Sequence, residues 1–150
     1  MSEHQHQAAV IKQYRAKYRK YKDHLIAIPN GSHLAGDAKQ RAIQVKKLKR
    51  EGMKPGVSDL FLALPNEYYC GLWIEMKDQG KTQCSVSMEQ KSWLALMESC
   101  GYQAEWASGC DEAMNIIGQY MGYVLADPVK PKIKFKGVDI DKIYEVNSEQ

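Results

Sequence analysis

The sequence predicts an α/β fold in which a small mixed β-sheet is flanked by helices. Four short runs rich in apolar residues alternate with period two or end at turn-forming residues, as strands do. Four longer segments place apolar residues three and four positions apart, which is the spacing of a helix with one buried face. With 150 residues, the chain is long enough for one domain with a sizeable core.

The first element is a helix from Ser2 to about Tyr21. Ser2 is suited to the N-cap, and Glu3 places a negative charge in the first turn, where the helix dipole favours it. The stripe that faces the core consists of Glu3, Gln7, Val10, Tyr14, Tyr18 and Tyr21. A short strand, Leu25–Pro29, follows and ends in the turn Pro29-Asn30-Gly31.

The second helix spans about Asp37 to Glu51. Asp37 and Gln40 form a capping-box pattern, and Gly52 ends the helix. The helix has six cations: Lys39, Arg41, Lys46, Lys47, Lys49 and Arg50. Basic residues on a helix usually form a solvated face, but this excess of cations favours a surface that faces phosphate.

Two strands, Asp59–Leu64 and Leu72–Lys77, are predicted to form a hairpin, because their connection begins with Pro65-Asn66. A polar loop that contains Gly80 follows the second strand. The chain then returns to the sheet by way of a helix, which favours a right-handed crossover.

The third helix opens at Ser87, with Gln90 at the capping-box position, and ends at Gly101. A fourth strand, Tyr102–Ala107, and a last helix, from Asp111 to about Tyr123, complete the order. The composition changes at residue 127, which predicts a domain over residues 1–126. A C-terminal basic arm or tail would follow over residues 127–150, as an extended arm, an edge strand or a disordered segment.

Charged side chains of the predicted hairpin fall on one face. Glu75 and Lys77 alternate with the apolar residues of their strand, and Asp59 occupies the corresponding face of its partner. Two neighbouring carboxylates hold a hard divalent cation such as Mg²⁺, and a lysine beside them can orient water or offset phosphate charge. These residues therefore predict metal-assisted hydrolysis of a phosphodiester.

The alternative is an edge strand on which Glu75 and Lys77 form a solvated pair. The flanking residues Leu72, Trp73 and Ile74 favour a buried, central strand instead. Charges are costly to bury unless they are paired or bound to metal, so this strand favours a functional site.

Two further polar residues lie on inward faces. Glu3 sits at the N-terminal end of the stripe described above, where it can complete the metal site. Gln90 lies one turn before Trp93 and Leu94 and faces inward with them. A buried amide needs a partner, so Gln90 is either a structural residue, as a cap partner or a satisfied core amide, or a contact near the carboxylates.

The net charge is only +3, so the distribution of charge says more about partners than the sum does. The second helix and the outer face of the first predict a DNA-binding surface. Its candidate residues are Lys12, Arg15, Arg19, Lys46, Lys49 and Arg50.

No apolar run is long enough to span a membrane, and the polar N-terminus lacks a signal-peptide stretch, which predicts a cytoplasmic protein. The four cysteines form no C-x-x-C pair, so a structural zinc site is not expected. We expect free, mostly buried thiols and no small-molecule organic cofactor. His4 and His6 are expected to be ordinary polar residues near the terminus.

Several short segments lie along this order of elements: Glu3, Ile28-Pro29-Asn30-Gly31, Leu48-Lys49-Arg50-Glu51-Gly52, Gly56-Val57-Ser58-Asp59-Leu60, Gly71-Leu72-Trp73-Ile74-Glu75-Met76-Lys77, Ser87 with Gln90, and Gly101-Tyr102. With these segments, from Glu3 to about Tyr120, the chain resembles the virus-type replication-repair nuclease (VRR-NUC) family of the PD-(D/E)xK nuclease superfamily. One departure is Ser58, because the family commonly has proline before the aspartate. That proline shapes a turn and is not a ligand.

The resemblance implies a role for each residue of the site. Asp59, Glu75 and the main-chain carbonyl of Met76 would hold Mg²⁺ or Mn²⁺, and Glu3 would reach the metal directly or through water. Lys77 would position the attacking water. The remaining polar residue, Gln90, would hold a water, a phosphate or a ligand in place.

The resemblance also implies a homodimer that acts on branched DNA, as Holliday-junction resolvases do, and a phage or bacterial origin. We therefore expect a Mg²⁺-dependent, structure-selective DNA endonuclease. The alternatives are a basic DNA-binding or assembly module with a vestigial nuclease site, and a nicking nuclease on linear duplex. The apolar dimer contacts are expected from the last helix or from the tail, at Ile116, Ile117, Tyr120, Met121, Ile133 and Phe135.

Overall fold

The computed structural model describes residues 1–29, 34–126 and 131–149. Short 3₁₀ helices lie at Arg19–His24 and Gln83–Ser85. The helices and strands of the described residues are, in chain order, α1 (Glu3–Lys17), β1 (Leu25–Ala27), α2 (Ala38–Arg50), β2 (Leu60–Leu62), β3 (Leu72–Lys77), α3 (Met88–Ser99), β4 (Gln103–Ser108), α4 (Cys110–Met121) and α5 (Ile140–Glu149).

The four strands form one mixed sheet in the order β1-β2-β3-β4. β1 pairs with β2, and β2 with β3, in antiparallel orientation. β3 pairs with β4 in parallel, and α3 lies in the connection between these two strands. The predicted mixed sheet and its hairpin are therefore confirmed. β3 lies between two partners, so the edge-strand interpretation of Glu75 and Lys77 is wrong.

The two faces of the sheet are covered differently. Aliphatic side chains of β2 and β3, including Leu60, Ile74 and Met76, pack against Val10 of α1 and Ile117 of α4. On the opposite face, a cluster of aromatic side chains joins the sheet to α3. It consists of Phe61, Trp73, Tyr102 and, from α3, Trp93. Glu75 alternates with Ile74 and Met76, so it projects on the α3 side of the sheet.

α1 ends at Lys17, four residues before the predicted end. Tyr18 leaves the helical conformation, and the hydroxyl of Tyr14 donates to the carbonyl of Tyr21 at 2.7 Å. The chain therefore turns through the 3₁₀ helix while Tyr14, Tyr18 and Tyr21 stay packed on the core. The tyrosine stripe was predicted, but the tighter turn was not.

α2 is the least buried helix of the sheet-forming region. Its predicted capping box between Asp37 and Gln40 is present. None of its 13 residues, all of them described, is buried. Its six cations are exposed, and only Gln44, Val45 and Leu48 on one side of the helix are half-buried.

The C-terminal region contains a helix that the sequence did not predict. α5 packs on the 3₁₀ helix, where Tyr144 stacks on His24 and its hydroxyl lies 3.0 Å from His24 Nε2. Asn147 donates to Asp23 at 3.1 Å. For residues 140–149, the expected arm, edge strand or disordered segment is thus wrong. Residues 127–130 and the turn residues Asn30 and Gly31 lie outside the described part of the chain, and the division at residue 126 stays a prediction.

Three of the four cysteines are exposed, contrary to expectation. Cys70, Cys84 and Cys100 lie in a connection, a 3₁₀ turn and a helix C-cap, which are surface positions, whereas Cys110 is buried. Within the described ranges, no helix has the length and apolar character needed to cross a membrane.

Candidate active site

The sheet and the first helix bring three carboxylates together. One carboxylate oxygen from each of Glu3, Asp59 and Glu75 lies within 4.8 Å of the other two. Leu60 pairs with Ile74 in the hairpin, so Asp59 and Glu75 are adjacent at the next position. Glu3 comes from the first turn of α1, which packs on β3. We call these three residues the acidic cluster.

Asp59 is fixed by the backbone of the neighbouring strand. Its side chain is 8% exposed, and its Oδ2 accepts a hydrogen bond from the Met76 N–H at 2.8 Å. The N–H and C=O of one strand residue leave the strand on the same edge. The carbonyl of Met76 is thereby directed to the edge where Asp59 lies.

Glu75 is the most deeply buried member of the acidic cluster, with 2% of its surface exposed. Its Oε1 accepts from Gln90 Nε2 at 2.7 Å and lies 3.6 Å from Lys77 Nζ. Its Oε2 is buried and has no hydrogen-bond partner among the described residues. A buried carboxylate oxygen needs a proton or a cation, so this atom is available as a ligand.

Gln90 acts both as a cap residue and as a contact of the site. Its Oε1 accepts from the Ser87 N–H at 2.8 Å in a complete capping box. The other end of the amide, Nε2, therefore donates to Glu75. Both interpretations of Gln90 offered by the sequence are found together, and the cap fixes which amide atom faces the carboxylate.

The acidic cluster favours protonated carboxyl groups. Burial, followed by the charge of Asp59, raises the pKa of Glu75 to about 8. Burial also raises the pKa of Asp59, against the opposing effect of the Met76 N–H. Burial and the charge of Asp59 raise the pKa of Glu3. A divalent cation could replace the protons held here, and three converging carboxylates with a free buried oxygen fit a hard cation.

Sequence reasoning missed two ionisable neighbours of the acidic cluster. The charge of Asp78 raises the pKa of Glu3, whereas that of His4 lowers it, and His4 has the same effect on Asp59. Asp78 Oδ1 is buried without a hydrogen-bond partner among the described residues. These residues directly follow Lys77 and Glu3 in the sequence, which is the only signal that could have indicated them.

His6 was expected to be an ordinary polar residue, and this expectation is wrong. The side chain is 5% exposed, and its Nδ1 accepts from the Cys110 N–H at 3.1 Å. His6 therefore joins the start of α1, which carries Glu3, to the start of α4. Its spacing of four from Val10, and of eight from Tyr14, could have revealed the buried position.

The predicted DNA-binding residues lie on exposed helical surfaces. All six are exposed, on α1, at the start of the 3₁₀ helix and on α2, at Lys12, Arg15, Arg19, Lys46, Lys49 and Arg50. The structure thus provides exposed cations on α1 and α2 in addition to Lys77, which lies beside the acidic cluster.

Of the four residues of α4 expected to form dimer contacts, Ile117 and Tyr120 are buried in the core of their own chain, whereas Ile116 and Met121 are half-buried. Tyr120 also donates to the Leu64 carbonyl at 2.6 Å. Ile133 and Phe135 of the tail remain exposed.

Comparison with known proteins agrees with this geometry. The VRR-NUC domain matches residues 1–111, a segment that contains the whole acidic cluster, Lys77 and Gln90. The chain belongs to the VRR-NUC family. The resemblance found in the sequence is therefore confirmed.

A solved VRR-NUC domain protein also has this fold. The two structures superpose with a TM-score of 0.69 at 25% sequence identity, over 83% of this chain and 91% of the other. No curated protein matches the chain. Membership of the VRR-NUC family implies a nuclease-type function with DNA as the substrate.

Proposed function

We propose that this VRR-NUC protein is a Mg²⁺- or Mn²⁺-dependent DNA endonuclease whose active site is the acidic cluster with Lys77 and Gln90. The observation that carries the proposal is the convergence of three carboxylates within 4.8 Å. The buried, unpartnered Oε2 of Glu75 adds to it. A vestigial site would have little reason to keep two buried carboxyl groups beside a third, half-buried one, since their burial costs free energy.

The metal ligands would be Glu3, Asp59, Glu75 and the main-chain carbonyl of Met76. A divalent cation held there supplies positive charge to the phosphoryl oxygens and lowers the pKa of bound water. Gln90 occupies Oε1 of Glu75, so Oε2 is left to face the cation. The Met76 N–H holds Asp59 in the same way, with one oxygen engaged and the other free to act as a ligand.

Lys77 supplies the positive charge of the protein itself. Its side chain is largely buried, and its Nζ lies 3.6 Å from Glu75 Oε1. An ammonium group in this position offsets the charge that develops on the phosphoryl oxygens and orients the attacking water. Because it is held by burial, it needs little reorganisation when the substrate binds.

The proposed substrate is branched DNA, cut by a homodimer in the manner of a Holliday-junction resolvase. The exposed cations of α1 and α2 support contacts to more than one duplex arm. An isologous dimer would match the two-fold symmetry of a four-way junction. The exposed Ile133 and Phe135 and the half-buried Ile116 and Met121 are the candidates for its apolar contacts.

The experiment is a cleavage assay with Mg²⁺ on a four-way junction, a flap and a linear duplex of shared sequence. Asp59→Ala should abolish cleavage, and Lys77→Ala should reduce it about 10²–10³-fold, as loss of one electrostatic group does elsewhere. Asp111→Ala, an exposed carboxylate change on α4, serves as the matched control and should cut normally. Full activity of Asp59→Ala would refute the site, whereas preferential cutting of linear duplex would favour the nicking nuclease.

Light scattering at micromolar concentration tests the proposed assembly. The wild type should be a dimer, and a double change of Ile133 and Phe135 to serine should shift it toward the monomer. A monomer that still makes paired, symmetric nicks in a junction would contradict the dimer.

A further inference from the structure

A cavity lies beside α3, the helix that carries Gln90 of the proposed active site. It lies between the loop that leads to β2 and the outer face of α3, with a volume of about 340 Å³. This volume falls within the range of about 300–1,000 Å³ that is typical of small-molecule sites. Its lining residues are Lys54, Pro55, Met88, Glu89, Ser92, Trp93 and Leu96. We call it the α3 groove.

The position of the α3 groove is fixed by close backbone packing. Gly56 has a φ of +89°, and a Cβ there would lie 2.6 Å from the backbone carbonyl of Glu89. Gly56 precedes Asp59 by three residues, so their Cα atoms are at most about 11 Å apart. Glu89 is adjacent to Gln90, the contact of Glu75. The groove is therefore within reach of the nucleotides next to a phosphate at the acidic cluster.

The chemistry of the groove is apolar with polar groups at its boundary. Met88 and Leu96 are large apolar side chains with exposed fractions of 74% and 49%. Trp93 forms part of the wall and packs edge-on against Trp73. An indole wall beside exposed apolar side chains suits a flat, largely apolar ligand.

The charges of the groove distinguish a base from a phosphate. Glu89 lines it, so a phosphate inside the groove would meet a carboxylate of like charge. Lys54 lines it as well and can contact the phosphate attached to a base that has entered. An uncharged aromatic ring with a phosphate beside it has both features, which are those of single-strand binding sites.

We propose that the α3 groove binds an unpaired base of the DNA substrate, next to the phosphate that is cut. This inference rests on the proposed nuclease function. A paired base cannot leave its stack without a cost of a few kcal/mol. The groove thus favours DNA that already carries an unpaired nucleotide near the cleavage site.

The test compares two leucine variants of equal exposure. Leu96→Ala removes a groove wall, and Leu125→Ala, outside the groove, is the matched control, because both leucines are 49% exposed. Affinity is measured with Ca²⁺ in place of Mg²⁺ for a flap with unpaired thymidines and for a fully paired duplex of equal length. Leu96→Ala should bind the flap about tenfold more weakly, equivalent to about 1.4 kcal/mol. Its affinity for the duplex should be unchanged, and Leu125→Ala should match the wild type on both.

Two further variants separate the contributions of base and phosphate. Ser92→Phe fills the groove from an exposed position and should reproduce the loss for the flap. Lys54→Gln should lower the slope of log affinity against log salt by about one, since one phosphate contact is lost. Leu96→Ala should leave that slope as it is in the wild type.

The outcomes keep the two proposals apart. If the wild type cuts DNA but Leu96→Ala and Ser92→Phe keep full affinity for the flap, the groove serves a protein partner or no ligand, and the inference alone is overturned. Equal losses on flap and duplex would also overturn it. If the wild type neither binds nor cuts either DNA, the proposed nuclease function fails, and the inference fails with it.

Discussion

Replacement of Glu75 by glutamine tests how much a buried charge in the acidic cluster lowers the free energy of unfolding of the metal-free protein. The pKa of Glu75 rises from an ordinary 4.5 to about 8 through burial and the charge of Asp59. Each pKa unit corresponds to about 1.4 kcal/mol, so ionised Glu75 lowers the metal-free stability by up to about 5 kcal/mol. Glutamine has the same shape and can still accept from Gln90, but it carries no charge at any pH.

The direction of the pH effect follows from proton linkage. Between the unfolded pKa near 4.5 and the folded pKa of about 8, the folded state holds a proton that the unfolded state has lost. Stability therefore falls as pH rises through this window. The contribution of Glu75 to the stability of the metal-free wild type should be greatest below about pH 4.5. It should decline as pH rises and be lost by about pH 8.

Urea unfolding in EDTA from pH 5 to pH 9 measures this effect. Glu75→Gln should lose most of the slope and exceed the wild type in stability at pH 9, while it cuts no DNA. Added Mg²⁺ should restore the stability of the wild type at pH 9, because a ligand that binds only the folded state stabilises that state. Glu105→Gln on β4, outside the acidic cluster, is the control and should follow the wild type. A metal-free wild type whose stability is flat or rises with pH would refute the reasoning.

Two other predictions concern the surface and the support of the site. A triple change of Lys46, Lys49 and Arg50 to glutamine should flatten the salt dependence of DNA affinity by up to about three units, one for each lost phosphate contact; an unchanged slope in a salt titration would place the DNA elsewhere. His6→Ala should cost about 1–3 kcal/mol in urea unfolding, because the N–H of Cys110 loses its partner in a buried place. A loss below about 0.5 kcal/mol, the range of ordinary surface changes, would mean that water replaces the imidazole.

The centre of the site could be predicted because its signals are local. Period-two alternation in β3 places Glu75 and Lys77 on one face, and turn residues pair that strand with the one that follows Asp59. A capping box fixes the start of α3 and so the direction of Gln90. Each of these signals needs only a few consecutive residues.

The features that were missed depend on distant parts of the chain. His6 is buried only because Cys110, 104 residues away, begins a helix beside it. α5 is docked through Tyr144 and Asn147 on the 3₁₀ helix, across 120 and 124 residues. Ile117 and Tyr120 lie in the core of their own chain and do not form an exposed surface for a partner. Sequence patterns indicate that a face is apolar, but not which surface covers it.

The central claim is that Glu3, Asp59 and Glu75 hold a divalent cation. Its most direct test is a crystal soaked in Mn²⁺ and measured for anomalous scattering. We predict a peak among the three carboxylates, about 2.1 Å from their nearest oxygens and from the Met76 carbonyl if no water intervenes. Asp59→Ala crystals should show no peak there. A wild-type crystal of a DNA-cutting preparation with no peak in the acidic cluster would contradict the account.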